Sequence, residues 1–133
     1  VIEKDIKMIK MYLTIALGGA LGACLRFFIS DMTLKLLGRG FPFGTLTVNI
    51  LGSLLMGILY GLIEKQVITV SPAKSLLGIG FLGALTTFST FSMDSVLLLQ
   101  QGHILKMILY VTLNVVVCIF MAWLGLCLVM QKG

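Results

Sequence analysis

Residues 80–94 read GFLGALTTFSTFSMD. Five hydroxyl side chains (Thr86, Thr87, Ser89, Thr90 and Ser92) and two phenylalanines, Phe88 and Phe91, fall within seven consecutive positions. Gly78, Gly80 and Gly83 precede this knot. Serine and threonine in a helix bond back to the carbonyl one turn earlier and bend it. The sequence therefore predicts that a helix loosens or breaks where Gly83 is followed by Thr86-Thr87. At membrane depth such a break survives only where protein or a water-filled cavity satisfies the backbone. It would free carbonyls able to hold a cation and N–H groups that favour an anion, as broken helices do in transporters.

The surroundings of this stretch are built for lipid. Of the 133 residues 59% are hydrophobic and 11% charged, with a mean hydropathy of +1.11. A soluble domain would carry about a quarter charged residues. Uncharged runs cover Gly40–Ile63, Ser75–Met93 and Met107–Gln131, and between Lys10 and Asp31 the only charge is Arg26. At a rise of about 1.5 Å per residue each run crosses most or all of a hydrocarbon layer about 30 Å thick. The expected architecture is an all-α integral membrane protein with four transmembrane helices, near 11–30, 44–63, 75–99 and 106–130, the third broken at mid-membrane. Residues 1–133 then form a single four-helix transmembrane domain, with no room for a soluble catalytic or sensor domain. The first span reads as a retained helix, not a cleaved signal, because Arg26 and Phe27 follow its apolar run where a polar cleavage region would stand.

The charges sit at helix ends. The net charge of +5 therefore speaks for anchoring in lipid headgroups and not for nucleic-acid binding. The termini and the 2–3 connection carry Lys4, Lys7, Lys10, Lys65, Lys74 and Lys132; the opposite side carries Arg26, Lys35, Arg39 and Lys106. Six against four is a weak positive-inside bias; were residues 1–7 absent, with Met8 the initiator, the two sides would hold four each. Charge would then cast no vote on orientation. Insertion in both directions, with antiparallel dimers as its consequence, stands beside a single orientation set by other factors. Cys24, Cys118 and Cys127 lie inside spans with no metal-binding spacing and read as small packing residues.

Several polar residues are open to two readings. Gly18 and Gly22 make a small face four residues apart that favours close packing. Arg26, one turn on, either snorkels to the interface or faces a wet vestibule and gathers anions. Asn49 lies on a stripe with Gly52 or Ser53, Met56 or Gly57, and Tyr60 or Gly61. It is either interhelical glue or a pore-lining amide. Phe88 and Phe91, three apart, either pack in a core or turn their positive ring edges to an anion. Asp94, at the end of the uncharged run, reads as a solvated cap near the membrane edge. In the fourth span Tyr110, Asn114, Cys118, Met121 and Gly125 share a stripe. His103, in the 3–4 connection, reads as solvated.

Catalytic constellations are missing from the sequence: there is no acid pair at mid-membrane, Ser-His-Asp set, phosphate loop or metal triad, so the chain does not read as an enzyme. A proton-coupled carrier would need an intramembrane acid or histidine relay, and passive conduction fits its lack. A small dual-topology drug exporter would share the size and helix count, yet it would need a carboxylate in the first span. A non-transporting assembly subunit would use the glycines and Asn49 for packing alone.

The segments GGALGACLRF, GTLTVNILGS and GFLGALTTFSTFSMD, in this order and over most of the chain, resemble the Fluc (CrcB) family of bacterial fluoride channels. TTFSTFS carries most of that specificity. The resemblance implies a fluoride-selective channel of the bacterial inner (plasma) membrane that passively exports cytoplasmic fluoride and protects the cell from its toxicity. It implies an antiparallel dual-topology homodimer, so that the partners are fluoride, the bilayer and a second copy of the chain. It also implies a structural sodium ion (Na+) at the dimer centre, held by backbone carbonyls that fall on Gly83 and Thr86. By motif position the ion pathway falls on Asn49, Phe88, Ser89, Thr90, Phe91 and Tyr110, and the vestibule arginine on Arg26. The chain departs from the family pattern at Phe27, where tyrosine is frequent, at Asp94, where glutamate is frequent, and at Asn114, where serine is frequent. The resemblance therefore assigns no role to Asp94 or Asn114.

Overall fold

The computed structural model describes residues 1–69 and 71–131, and every regular element among them is helical. Lys132, counted above with the charges on the termini side, lies outside the described residues. Among the described residues four stretches are long and apolar enough to cross a membrane, Ile2–Leu37, Phe43–Glu64, Pro72–Gln100 and Ile104–Met130. The protein is thus a multi-pass membrane protein. The first two spans are single helices, α1 (Ile2–Leu37) and α2 (Phe43–Glu64). The third consists of a short turn α3 (Ser71–Lys74), a π-helical segment Ser75–Leu82, a turn α4 (Gly83–Leu85) and α5 (Phe88–Gln100). The fourth runs from α6 (Ile104–Thr112) through a π-helical segment Leu113–Val117 into α7 (Cys118–Met130).

Helix α1 is longer at both ends than the expected span 11–30. Its 36 residues reach about 54 Å at 1.5 Å per residue, against a hydrocarbon core of about 30 Å. Charges mark where lipid ends; they do not mark where a helix ends. Glu3 and Asp5 in the first turn and Lys35 in the last complement the helix dipole and favour the extension. Arg26 consequently stands well inside a helix, eleven residues before its end.

The break falls at Thr86 and Thr87, whose backbones are extended (ψ 157° at Thr86; φ −152°, ψ 115° at Thr87). Gly83 itself keeps helical angles, φ −63° and ψ −33°. Glycine serves contact, not strain, in the packing on either side. A Cβ at Gly22 would collide with the Phe81 carbonyl, and one at Gly80 would stand 2.6 Å from the Ile15 carbonyl. Helix α1 and the π-helical segment thus meet backbone to backbone. Gly57 against Ala122, and Gly125 against Leu54, do the same for α2 and α7.

Two apolar clusters hold the bundle. One contains Val48, Leu59, Leu82 and Leu85, just before the break; the other contains Leu46, Phe91, Leu98 and Tyr110, just after it. The break is therefore clamped by packing on both halves of the third span, while its own backbone must be satisfied by side chains.

Candidate functional site

Asn49 satisfies it. Its Oδ1 accepts from the Thr87 backbone N–H at 2.8 Å, and its Nδ2 donates to the Thr87 carbonyl at 3.2 Å. The amide thus pairs with the extended residue as a neighbouring strand would. Nδ2 also donates to Asn114 Oδ1 at 3.0 Å, and Asn114 Nδ2 donates to the Tyr110 carbonyl at 3.1 Å. Asn114 is 6% exposed and lies in the π-helical segment of the fourth span. Three spans are joined at mid-depth by one chain of amides, and each donor and acceptor in it replaces a bond that lipid cannot offer.

Below the break Thr87 caps α5. Its Oγ1 accepts from the Thr90 N–H at 3.2 Å and donates to Thr90 Oγ1 at 2.9 Å, with Ser89 Oγ 3.4 Å away. In an unbroken helix the N–H groups of Thr87 and Thr90 would donate to the carbonyls of Gly83 and Thr86. Both are diverted, the first to Asn49 Oδ1 and the second to Thr87 Oγ1. Thr86 Oγ1 turns back to the Leu82 carbonyl at 3.0 Å. A Cβ at Gly83 would meet only the Gly78 carbonyl, at 3.5 Å, so the space beside Gly83 is open.

The two phenylalanines differ in setting. Their rings touch, with centroids 5.4 Å apart, yet Phe88 is 78% exposed and Phe91 only 9%. Phe91 packs in turn on Tyr110, at 5.5 Å between centroids. Ser89 and Thr90 are exposed beside Phe88. Tyr110 is wholly buried, and its hydroxyl donates to Asp94 Oδ2 at 3.0 Å. Thr45 Oγ1 donates to the same oxygen at 2.8 Å. Asp94 is therefore not the solvated cap that its place in the sequence suggested. It is half-buried and ties α2, α5 and α6 together through one carboxylate oxygen.

Three cavities follow this line of polar groups. The largest, about 450 Å³, is lined by Asn49, Ser53, Thr87, Phe88, Phe91 and Asn114 among others. A second, about 240 Å³, is lined by Thr45, Thr90 and Asp94. The Thr87–Thr90 hydroxyl bond links the two. A third, about 300 Å³, opens at the end of the bundle that carries the 1–2 and 3–4 connections and shares Asp94 with the second. The structure thus brings Asn49, Phe88, Phe91 and Thr90 onto these cavities and sets Ser89 next to the Thr87 hydroxyl. Tyr110 lies behind them as a support. Arg26 is half-buried and lines none of the three. Sequence reasoning missed Thr87, Asn114 and Asp94 as members of the site. Asn114 shared a stripe of the fourth span with Tyr110, which was the available signal.

Comparison with known proteins agrees with the motifs. The family model described as CrcB-like protein, Camphor Resistance (CrcB), matches residues 13–126. A protein of Pseudoalteromonas translucida named "Fluoride-specific ion channel FluC" is 81% identical over 119 residues, which is 90% of this chain and 99% of that protein. Proteins of the same name from Vibrio campbellii and Vibrio parahaemolyticus are 58% and 56% identical, each over 118 residues covering 89% of this chain and 93% of the relative.

Proposed function

We propose, given that the chain belongs to the CrcB-like family of channels, whose members are not enzymes, that it conducts fluoride passively out of the cytoplasm. Hydrogen fluoride enters cells as a neutral acid and ionises inside; the anion then leaves down its own gradient through this protein in the bacterial inner membrane. The observation that carries the reading is the break at Thr86–Thr87, sealed by Asn49 and bordered by Thr87, Ser89, Thr90 and the exposed ring of Phe88.

Fluoride is small and strongly hydrated, so a selective pore must replace its water with close polar contacts. The hydroxyls of Thr87, Ser89 and Thr90 can rotate to donate, and the edge of the Phe88 ring carries partial positive charge. The line from the mouth to mid-depth runs past Asp94, Thr45 and Thr90 to Thr87, Asn49 and Ser53. Among the described residues no basic side chain lines the mid-depth cavity; passage without a fixed counter-charge there avoids trapping the ion.

The exposed Phe88, Ser89, Thr90 and Gly83 require cover, and a second, antiparallel copy provides it in this reading. The carbonyls of Gly83 and Thr86, released by the diverted N–H groups and beside open space, suit a sodium ion shared by the two copies. Such an ion would supply positive charge close to the anion path.

The decisive measurement is anion efflux from liposomes holding the purified protein, with fluoride and chloride electrodes side by side. Rapid fluoride release with chloride retained is expected. Retention of both by correctly folded dimers would overturn the channel and favour an assembly subunit. A second expectation concerns sodium. Prolonged exchange into a large organic cation should weaken the dimer, read as a larger monomer fraction on size exclusion, and slow fluoride efflux. A dimer that keeps its full stability after complete exchange would remove Gly83 and Thr86 as ligands.

A further inference from the structure

The cavity at the connection end of the bundle is charged in a way that the mid-depth cavity is not. It is lined by Arg39 from the α1–α2 connection, His103 and Lys106 from the start of α6, and Asp94 at its inner end. Lys106 is fixed in place: its Nζ donates to the Gly40 carbonyl at 3.0 Å, which pins the connection over α6. Arg39 is exposed and forms no ion pair among the described residues, where Lys35–Asp31 is the pair found. The formal charge of the lining is two cations against one carboxylate, with His103 counted neutral. Asp94 also lines the next cavity inward, beside Thr45 and Thr90. Any anion moving between mouth and mid-depth therefore passes a carboxylate.

We infer that Arg39 and Lys106 form the anion-gathering entrance at this end of the protein, offsetting Asp94 and concentrating small anions in front of it. The inference rests on the channel reading above and adds the residues that load the path. A cleft with excess charge of one sign raises the local concentration and arrival rate of the opposite sign. The effect acts through space, so salt weakens it: the Debye length is about 30 Å at 0.01 M and about 8 Å at 0.15 M.

The test compares fluoride efflux from liposomes at about 10 mM and about 300 mM ionic strength, set with an impermeant salt. The variants are Arg39→Gln/Lys106→Gln and the charge-preserving Arg39→Lys/Lys106→Arg. The neutralised pair is expected to be about fivefold slower than the parent at low ionic strength and within about twofold of it at high. The charge-preserving pair keeps the parent's rate and salt dependence. An equal loss at both ionic strengths would assign Lys106 only its tether to Gly40, and no loss at low ionic strength would remove both residues from the entrance. Either result leaves the channel standing if the parent passes fluoride. A parent that passes none overturns the channel and the entrance together.

Discussion

Asn49→Asp is expected to lower fluoride efflux by about three orders of magnitude. The carboxylate keeps an acceptor for the Thr87 N–H but loses both donations that Asn49 makes, to the Thr87 carbonyl and to Asn114 Oδ1. It also places negative charge on the wall of the mid-depth cavity. Two like charges about 4 Å apart at an effective dielectric of about 20 repel by about 4 kcal/mol, which is about a thousandfold in rate. Asn49→Ala separates the two roles. It adds no charge, yet it leaves Thr87 N–H, Thr87 O and Asn114 Oδ1 without their partner, each at a cost of about 1–3 kcal/mol. Its main effect should be a lower melting temperature in detergent, with residual flux above that of the aspartate variant. Full conduction by a folded Asn49→Asp protein would take Asn49 off the ion path and leave it as a seal for the break.

Phe88→Ile is expected to cut efflux by at least tenfold, at a transition-state cost of about 1.4 kcal/mol or more, with folding untouched. The ring is 78% exposed in the chain and touches Phe91 on one side. Its removal forfeits one aromatic pair, about 0.5–1.5 kcal/mol, and little buried area. Phe91→Ala is the contrasting variant. Phe91 is buried against Leu46, Leu98 and Tyr110, so truncation opens a cavity and costs about 3–5 kcal/mol. Thermal unfolding and size exclusion, run beside flux, tell the two apart. Normal flux through Phe88→Ile would make that ring a packing element and take it off the ion path.

The break was legible in the sequence because its cause is local: hydroxyls bonding back one turn, after a run of glycines, act within five or six residues. What closes the break was not legible. Asn49 and Thr87 are 38 positions apart, and Asn49 and Asn114 are 65 apart, so the amide chain exists only once three spans have packed. The small face of α1 was readable as Gly18 and Gly22, but not its partner, the backbone around Gly80 and Phe81. Asp94 was misplaced because the end of an uncharged run suggests solvent, whereas Tyr110 and Thr45 reach it from other helices. The length of α1 was underestimated because hydropathy reports the lipid and not the hydrogen-bond ladder. The π-helical segments left no signal at all; hydrophobic spacing does not distinguish them from ordinary turns.

The broken third span also fixes the source of polarity at the centre of the protein. The turn ending at Leu85 presents the negative end of a peptide array, and the first turn of α5 presents a positive end worth about half a unit charge. The two ends face the same level of the bundle, separated by two extended residues. No ionisable side chain lies between Ser75 and Met93. What the third span itself contributes to the field at the break therefore comes from main-chain dipoles and hydroxyls, which neither gain nor lose protons. Acidity can alter how much fluoride is present as anion, and it can act on groups at the mouths, but the third span's own contribution at the break stays the same for as long as the fold holds.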